Sequence, residues 1–342
     1  MKIWIDFLTP KQLLFFEPLI KKLNKKYDLL CTTRDYREAK ELVKIRKLKA
    51  VIVGHHGGGE KAGKLLANID RMNSLFNLIQ KFKPELTLSF CSPDASRIAF
   101  GLGIKHIAFC NSPHHDKVMK LTVPLVDKLL IPKHIPKKEF TKYGISPKNI
   151  IQYNALDEYL IVKGKIFHNT VPKIHFEKKK SILFRTHEIQ AAYPSRKIDT
   201  IGIIKRMAKE FPDFNIIVLG RYYDEINSLK RQLGKRIVVL DEVVDSGEIL
   251  SLCDVFVGSG GTMTSEAVLR GVPTLSYNGV PNHDEKYLVK LGMLPRAESI
   301  SNIIQVTKKL LNSDRNKLQI KAKKFLDSME DPHSKLFEII KL

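Results

Sequence analysis

Short apolar runs alternate with longer amphipathic stretches along most of this chain of 342 residues. In the first half the runs are KIWIDF, YDLLCTT, KAVIVG, LTLSFC, HIAFC, KLLIP and NIIQY. Each has the length of a strand and little alternation, as expected for parallel strands covered on both faces. Between them lie stretches with helical spacing, such as PKQLLFFEPLIKKLNKK and DASRIAFGLG. From Leu160 to Lys180 the pattern lapses into an irregular basic segment, which predicts a linker. A second series follows: SILFRT, NIIVLG, RIVVLD, DVFVG and PTLSY. The tail, Asn302 to Leu342, reads as two charged amphipathic helices. Strand and helix in alternation predict an α/β protein with parallel sheets. Two series predict two Rossmann-like domains facing a central cleft, with ligands at the C-terminal ends of the strands. The expected boundaries are 1–165 and 166–320, with 321–342 a C-terminal helix packing back on the first domain.

Within the second series, Asp254 to Asn278 reads DVFVGSGGTMTSEAVLRGVPTLSYN. An apolar strand runs into Gly258, Ser259, Gly260 and Gly261, and Thr262 to Val268 then read as the opening turns of a helix. Gly271 ends that helix and Pro273 follows. Strand, glycine turn and helix N-terminus together make an anion site. Small residues let the backbone approach a phosphate, while free N–H groups and the helix dipole face it. A carboxylate one turn in, Glu266, would repel that phosphate if it pointed the same way. It is better placed to accept hydrogen bonds from a ribose diol. A nucleoside diphosphate suits both features.

Composition sets limits around this site. The chain is 43% hydrophobic and 27% charged, ordinary for a soluble globular protein. MKIWIDFLTP lacks the features of a signal peptide, and no apolar run is long enough to span a bilayer. Cys31, Cys91, Cys110 and Cys253 have no CxxC spacing and lie in or beside apolar runs, so buried free thiols in a reducing cytosol are expected. The net charge of +22 comes mostly from lysine, with maxima at Lys133–Lys148 and Glu177–Ser181. A lysine-rich bias explains it first, an anionic membrane or phosphorylated substrate second. Nucleic acid is not an expected partner, because no nucleic-acid motif or basic–aromatic repeat is present.

Other loops carry chemistry of their own. Gly58 to Leu65 has the glycine and lysine spacing of a P-loop, but Leu65 stands where Ser or Thr should reach Mg²⁺, and the strand RIVVLD lies far downstream. His55-His56-Gly57-Gly58-Gly59 follows a strand and is either a plain turn or an acceptor loop. Asp94, in CSPDASR, and His114 and His115, in NSPHHD, also follow strands and are candidate acids or bases. A metal site at HHD ranks below a catalytic loop and a plain surface loop, because adjacent histidines rarely aim at one ion. Arg185 and His187 end the first strand of the second series, where a cation could neutralise a diphosphate or departing nucleotide. A plain surface arginine fits the sequence equally well. Arg221, Tyr222 and Tyr223 could bracket the ligand, and SGEILSLCD could read its base.

On DVFVGSGGTMTSEAVLRGVPTLSY, the second half resembles the donor-nucleotide domain of GT-B proteins, namely UDP-N-acetylglucosamine 2-epimerases and MurG-type N-acetylglucosaminyltransferases. Through IDFLTPKQLLFFEPLIKKL, HHGGG and AFGLGIKHIAF, nearly the whole chain resembles the DUF354 proteins, a mainly archaeal group of that superfamily. The resemblance implies a GT-B fold, with Ser259, Gly260 and Gly261 as the phosphate-binding turn and Glu266 as the ribose-binding glutamate. His187 falls where the epimerases place a histidine. Asn111 stands where they have a glutamate, Asp94 is shifted from their aspartate, and Leu8-Thr9-Pro10-Lys11 replaces the glycine-rich first loop of the transferases.

The expectation is a cytoplasmic glycosyltransferase that binds a UDP-sugar as substrate, peripheral at the inner face of the membrane if its acceptor is lipid-linked. The donor would be held by Arg185, Ser259, Gly260, Gly261, Thr262 and Glu266, with Asp94, His114, His115 and His187 as catalytic candidates. No other cofactor is expected, and no metal if helix dipole and arginine carry the charge. The alternatives are a 2-epimerase-like enzyme and a catalytically weak nucleotide-binding protein.

Overall fold

Seven apolar runs of the first series pair side by side in a computed structural model that describes residues 1–172, 180–188, 199–234, 237–277 and 282–340. They are β1 (Lys2–Asp6), β2 (Asp28–Asp35), β3 (Val51–His55), β4 (Leu86–Ser89), β5 (Lys105–Phe109), β6 (Lys128–Pro132) and β7 (Ile150–Tyr153). The order is β3-β2-β1-β4-β5-β6-β7, and every pair is parallel. The second series gives β8 (Lys180–Arg185), β9 (Phe214–Leu219), β10 (Ile237–Leu240), β11 (Val255–Gly258), β12 (Thr274–Tyr277) and β13 (Arg296–Ala297). Their order, β10-β9-β8-β11-β12-β13, is again fully parallel. In each sheet the strand order reverses beside its first strand, between β1 and β4 and between β8 and β11. The loops leaving those strands diverge to opposite faces, so each reversal opens a crevice at the C-terminal edge.

The chain divides into two units, residues 1–164 with 329–342, and residues 165–328. These limits differ from the expected ones in two places. Leu160–Lys163 is not linker, because Glu158–Lys163 is a helix whose Leu160 and Ile161 join the first core. The tail forms three helices, Ile300–Leu311, Arg315–Asp327 and Pro332–Ile340. The second of these is continuous past residue 320 and stays with the second unit, and the return begins at Met329. Most of Glu177–Ser181, the end of the glycine motif at Asn278, and Arg236 of RIVVLD lie outside the described residues.

The first helix, Pro10–Leu23, begins as its sequence requires. The Thr9 side chain accepts from the Gln12 N–H, and Pro10 occupies a position whose N–H has no helical partner. Its buried face delivers Phe15 and Phe16 to a core shared with Ile5, Phe109 and Leu336. His333 completes that core, with its ring 5.0 Å from Phe15 and 6.0 Å from Phe109, centroid to centroid. Burial, aided by the charge of Lys22, pushes His333 down to about 3. Burial likewise pushes His106 of β5 down to about 4. A histidine held neutral in the fold stabilises fully above its unfolded pKa, and that stability is lost as pH falls below it. For His333 alone the loss is about 2 kcal/mol by pH 5. Thermal melts of wild type should fall steeply below pH 6.5, and those of His333→Phe should fall less. Parallel profiles would refute the assignment.

Cys31, Cys91, Cys110 and Cys253 are all buried and unbridged. Burial pushes Cys31 and Cys253 up to about 12, which keeps both thiols protonated.

Candidate functional site

In the second unit the glycine turn lies at the reversal of the sheet. β11 ends at Gly258, Gly261 caps the helix Thr262–Leu269, and Thr264 and Ser265 donate back to the Gly261 carbonyl. The N–H groups of Thr262 and Met263, ahead of those two, have no acceptor within their own helix. Gly260 and Gly261 have φ of 83° and 80°, a region that L side chains rarely adopt. At Gly258 a Cβ would meet Thr264 Oγ1 at 2.5 Å, so a side chain there would push turn and helix apart. Helix N-terminus and glycine backbone thus have the local geometry that an anion site requires.

Tyr277, at the end of β12, ties this turn to the loop after β8. Its hydroxyl donates to the Arg185 carbonyl at 3.1 Å, its ring stacks on Phe184 at 4.8 Å, and Ser259 is a hydrogen-bond neighbour. Burial pushes the Tyr277 hydroxyl well above its ordinary value, so it stays protonated as a donor. Ser259, Gly260, Gly261, Thr262, Arg185 and His187 are therefore brought to one edge of one sheet. The Arg185 guanidinium donates to the Gly220 carbonyl at 2.9 Å, beyond the end of β9, so it is the main chain of Arg185 that Tyr277 joins to the turn. His187 is half-buried with Nδ1 3.1 Å from Thr200 Oγ1, and burial lowers its pKa. Arg221 Nε reaches the Thr186 carbonyl at 3.3 Å, and the Tyr222 hydroxyl donates to Glu188 at 2.7 Å. These contacts stiffen the loop carrying His187.

Glu266 is 1% exposed, and Arg270 Nε donates to its Oε1 at 2.9 Å across one helical turn. Burial pushes its carboxyl up, against the opposing pull of Arg270. A carboxylate oriented by a neighbouring cation is a strong acceptor for a hydroxyl pair. Ahead of it, the Asp245 side chain caps the helix Ser246–Ser251 that the sequence assigns to the base.

The first unit separates its candidates. Asp94 is 4% exposed, ion-paired with Arg71 Nη1 at 2.5 Å and hydrogen-bonded by Asn68. Arg71 also reaches Asp6 Oδ1 at 2.6 Å and the Val53 carbonyl at 3.0 Å. Thr32 and Ser92 donate to the two oxygens of Asp6, each at 2.6 Å. Asp94 belongs to a buried network under the reversal of the first sheet, where a carboxylate committed to arginine is a poor general base. His114 and His115 remain at the loop edge, rings in a T-shape 4.4 Å apart. Burial, then the charge of Lys11, lowers the pKa of His115, which keeps that ring neutral and able to accept a proton near pH 7.

Sequence reasoning passed over the partner of that pair. Lys11 Nζ lies 2.7 Å from Asp157 Oδ2, 3.7 Å from Glu158 Oε1 and 4.9 Å from the Phe90 ring centroid. The Tyr153 hydroxyl donates to the other oxygen of Asp157. Only the strand ends after NIIQY and KIWIDF could have suggested this cluster, because its members are 146 positions apart.

The P-loop spacing at Gly58–Leu65 does not form a P-loop. Lys64 and Leu65 lie inside the helix Lys61–Phe82, and RIVVLD forms β10 in the other unit. In HHGGG, His56 Nδ1 accepts from the Gly58 N–H, and its ring packs on Tyr36 at 5.2 Å, a turn-forming role. Among the described residues no group of His, Cys, Asp and Glu is arranged to hold a metal ion. No helix among them is long and apolar enough to cross a membrane.

Comparisons agree with this architecture. The crystal structure of UDP-GlcNAc 2-epimerase from Neisseria meningitidis bound to UDP-GlcNAc is similar with a TM-score of 0.70 at 16% identity, over 97% of this chain and 95% of that one. The spinosyn forosaminyltransferase SpnP gives a TM-score of 0.65 at 14% identity, over 100% and 98%. Fold class is therefore GT-B, two α/β units each with a parallel sheet. Uncharacterized protein MJ0665 of Methanocaldococcus jannaschii is 26% identical over 353 residues, 99% of this chain and 97% of that protein. Residues 1–341 match the family described as Protein of unknown function (DUF354), and the chain belongs to that family.

Proposed function

We propose that this protein is a sugar-transferring enzyme that uses a UDP-sugar as donor. One observation carries the reading: the Gly258–Thr262 turn opens a helix at the reversal of the second sheet, with Glu266 one turn in. The diphosphate would lie on the N–H groups of Gly260, Gly261 and Thr262, and the ribose diol on Glu266. His187, beside the turn, would protonate the departing nucleotide, and Arg185 would supply positive charge near it. The first unit would handle the acceptor, with His115 or His114 taking the hydroxyl proton. Asp94 is left out of that role because Arg71 and Asn68 hold its carboxylate. A lipid-linked acceptor would give the net charge of +22 a use at an anionic membrane.

A melting-temperature screen of nucleoside diphosphates and their sugars tests the donor site. UDP and at least one UDP-sugar should raise Tm by several degrees, as ligands that bind only the native state do. A screen in which no nucleotide shifts Tm would sink the proposal. The half-buried His187 also suits a second reading, proton transfer within a UDP-N-acetylglucosamine 2-epimerase reaction. Consumption of UDP-GlcNAc with no acceptor present would favour that reading over transfer.

A further inference from the structure

Two neighbouring strands of the first sheet end on the same dipeptide. LTLSFC and HIAFC both close with Phe-Cys, as Phe90-Cys91 and Phe109-Cys110. β4 and β5 pair in parallel with Ser89 opposite Ala108, and the same register carried forward sets Phe90 beside Phe109 and Cys91 beside Cys110. Alternation then sends the two rings to one face and the two thiols to the other. Both rings pack on Phe15, at 5.3 Å and 4.9 Å between centroids. Both thiols enter a separate core with Met119 of the helix Asp116–Thr122, and Cys91 is a hydrogen-bond neighbour of Cys110. Cys110 Sγ lies 3.7 Å from Met119 Sδ. Cys91, Cys110 and Met119 are 5%, 1% and 1% exposed. Cys91 also has a φ of 47°, a left-handed conformation that residues other than glycine rarely adopt. Such strain persists only where the surroundings hold it, and it clusters at functional sites.

We propose that Cys91, Cys110 and Met119 form a binding site for a soft monovalent cation of the cuprous class. Thiolate and thioether donors together select Cu(I) over hard cations. A sulfur ligand sits about 2.3 Å from a d10 ion, so sulfurs sharing one ion stand about 3.8–4.0 Å apart. The 3.7 Å between Cys110 and Met119 is already close to that edge. The third donor is a thioether, which is why no set of His, Cys, Asp and Glu marks the site among the described residues. Binding forms sulfur–metal bonds and releases the thiol protons to solvent. Burial and the neighbouring Cys91 push the Cys110 thiol up, so proton release opposes binding and affinity should climb with pH. The cation would sit under the loop of His114 and His115. The Ser112 N–H donates to Cys110 Sγ at 3.4 Å, and the Met119 N–H to the His115 carbonyl at 3.0 Å. A bound ion would therefore tie β4, β5 and the helix Asp116–Thr122 together beneath that loop.

Anaerobic titration of the reduced full chain with Cu(I), in competition with a chromophoric cuprous chelator, tests the site. The expected result is one ion per chain and a rise in Tm on loading, as for any ligand that binds only the native state. Cys91→Ala and Cys110→Ala should each weaken binding about a hundredfold or more, the upper end of what partners outside the ligand set cost. Met119→Leu should weaken it about tenfold, at the lower end of that range. That substitution conserves volume, so the metal-free Tm should match wild type and the loss reports on the sulfur alone. Cys31→Ala with Cys253→Ala should bind as wild type does. A wild type that holds no ion against the chelator overturns the proposal. So does affinity that survives Cys91→Ala or Met119→Leu, or that disappears with Cys31 and Cys253, since the ion then lies elsewhere. A chain that loses two mass units and binds no metal overturns it too, by showing a disulfide in place of the cation.

Discussion

Replacing Arg71 with methionine should destabilise the first unit by about 3–5 kcal/mol, the usual cost of leaving buried charge without its partner. Arg71 is 2% exposed and bonds Asp6, Asp94 and the Val53 carbonyl. Burial disfavours the Arg71 charge, but Asp6 and then Asp94 more than offset this. Methionine fills much of the same volume, so the loss reports on charge more than on a cavity. Asp94 already has a raised pKa, because burial outweighs the pull of Arg71, and losing Arg71 moves it further up. A carboxyl with a raised folded pKa stabilises at low pH and loses that contribution as pH rises through the folded value. The penalty in Arg71→Met should therefore be smallest near pH 4 and grow towards neutrality. Urea melts at several pH values measure it. A penalty under about 1 kcal/mol, or one independent of pH, would show that the network does not hold the unit together. Arg71→Met with Asp94→Asn should recover part of the loss.

Glu266→Ala should weaken UDP binding by about 2–4 kcal/mol, the worth of one or two charge-assisted hydrogen bonds. That corresponds to roughly a thirty-fold to thousand-fold rise in Kd. The variant also leaves Arg270 without its partner, so its Tm should be recorded beside its affinity. Glu266→Gln separates the two effects. It keeps the volume and an acceptor for Arg270 but gives up the charge, and its Kd should fall between wild type and alanine. An unchanged Kd in a folded alanine variant would falsify the ribose role.

The strands were legible because most are buried on both faces, which leaves an unbroken apolar run for each. β13 was not, since Arg296–Ala297 is too short and too polar to stand out. The anion turn was legible for another reason: its glycines, helix start and Glu266 are contiguous. The Asp6–Arg71–Asp94 network was hidden by separations of 65 and 23 positions. No local spacing marks such a set, and Asp94 alone reads as a candidate acid or base after a strand. The pairing of Lys11 with Asp157 was hidden for the same reason. Cys91, Cys110 and Met119 were equally scattered, and only the pairing of β4 with β5 brings the two thiols together.

The return of residues 329–342 to the first unit bears on how the chain acquires its structure during synthesis. The second unit is contiguous, residues 165–328, and can close as soon as its own last helix emerges. The first unit cannot. Until His333 and Leu336 arrive, Phe15 and Phe109 lack part of their cover, although their own sheet was translated long before. Residues 1–164 precede the second unit in translation and are thus the later of the two to mature, with apolar surface around Phe15 and Phe109 open to chaperones or to aggregation until residues 329–342 emerge.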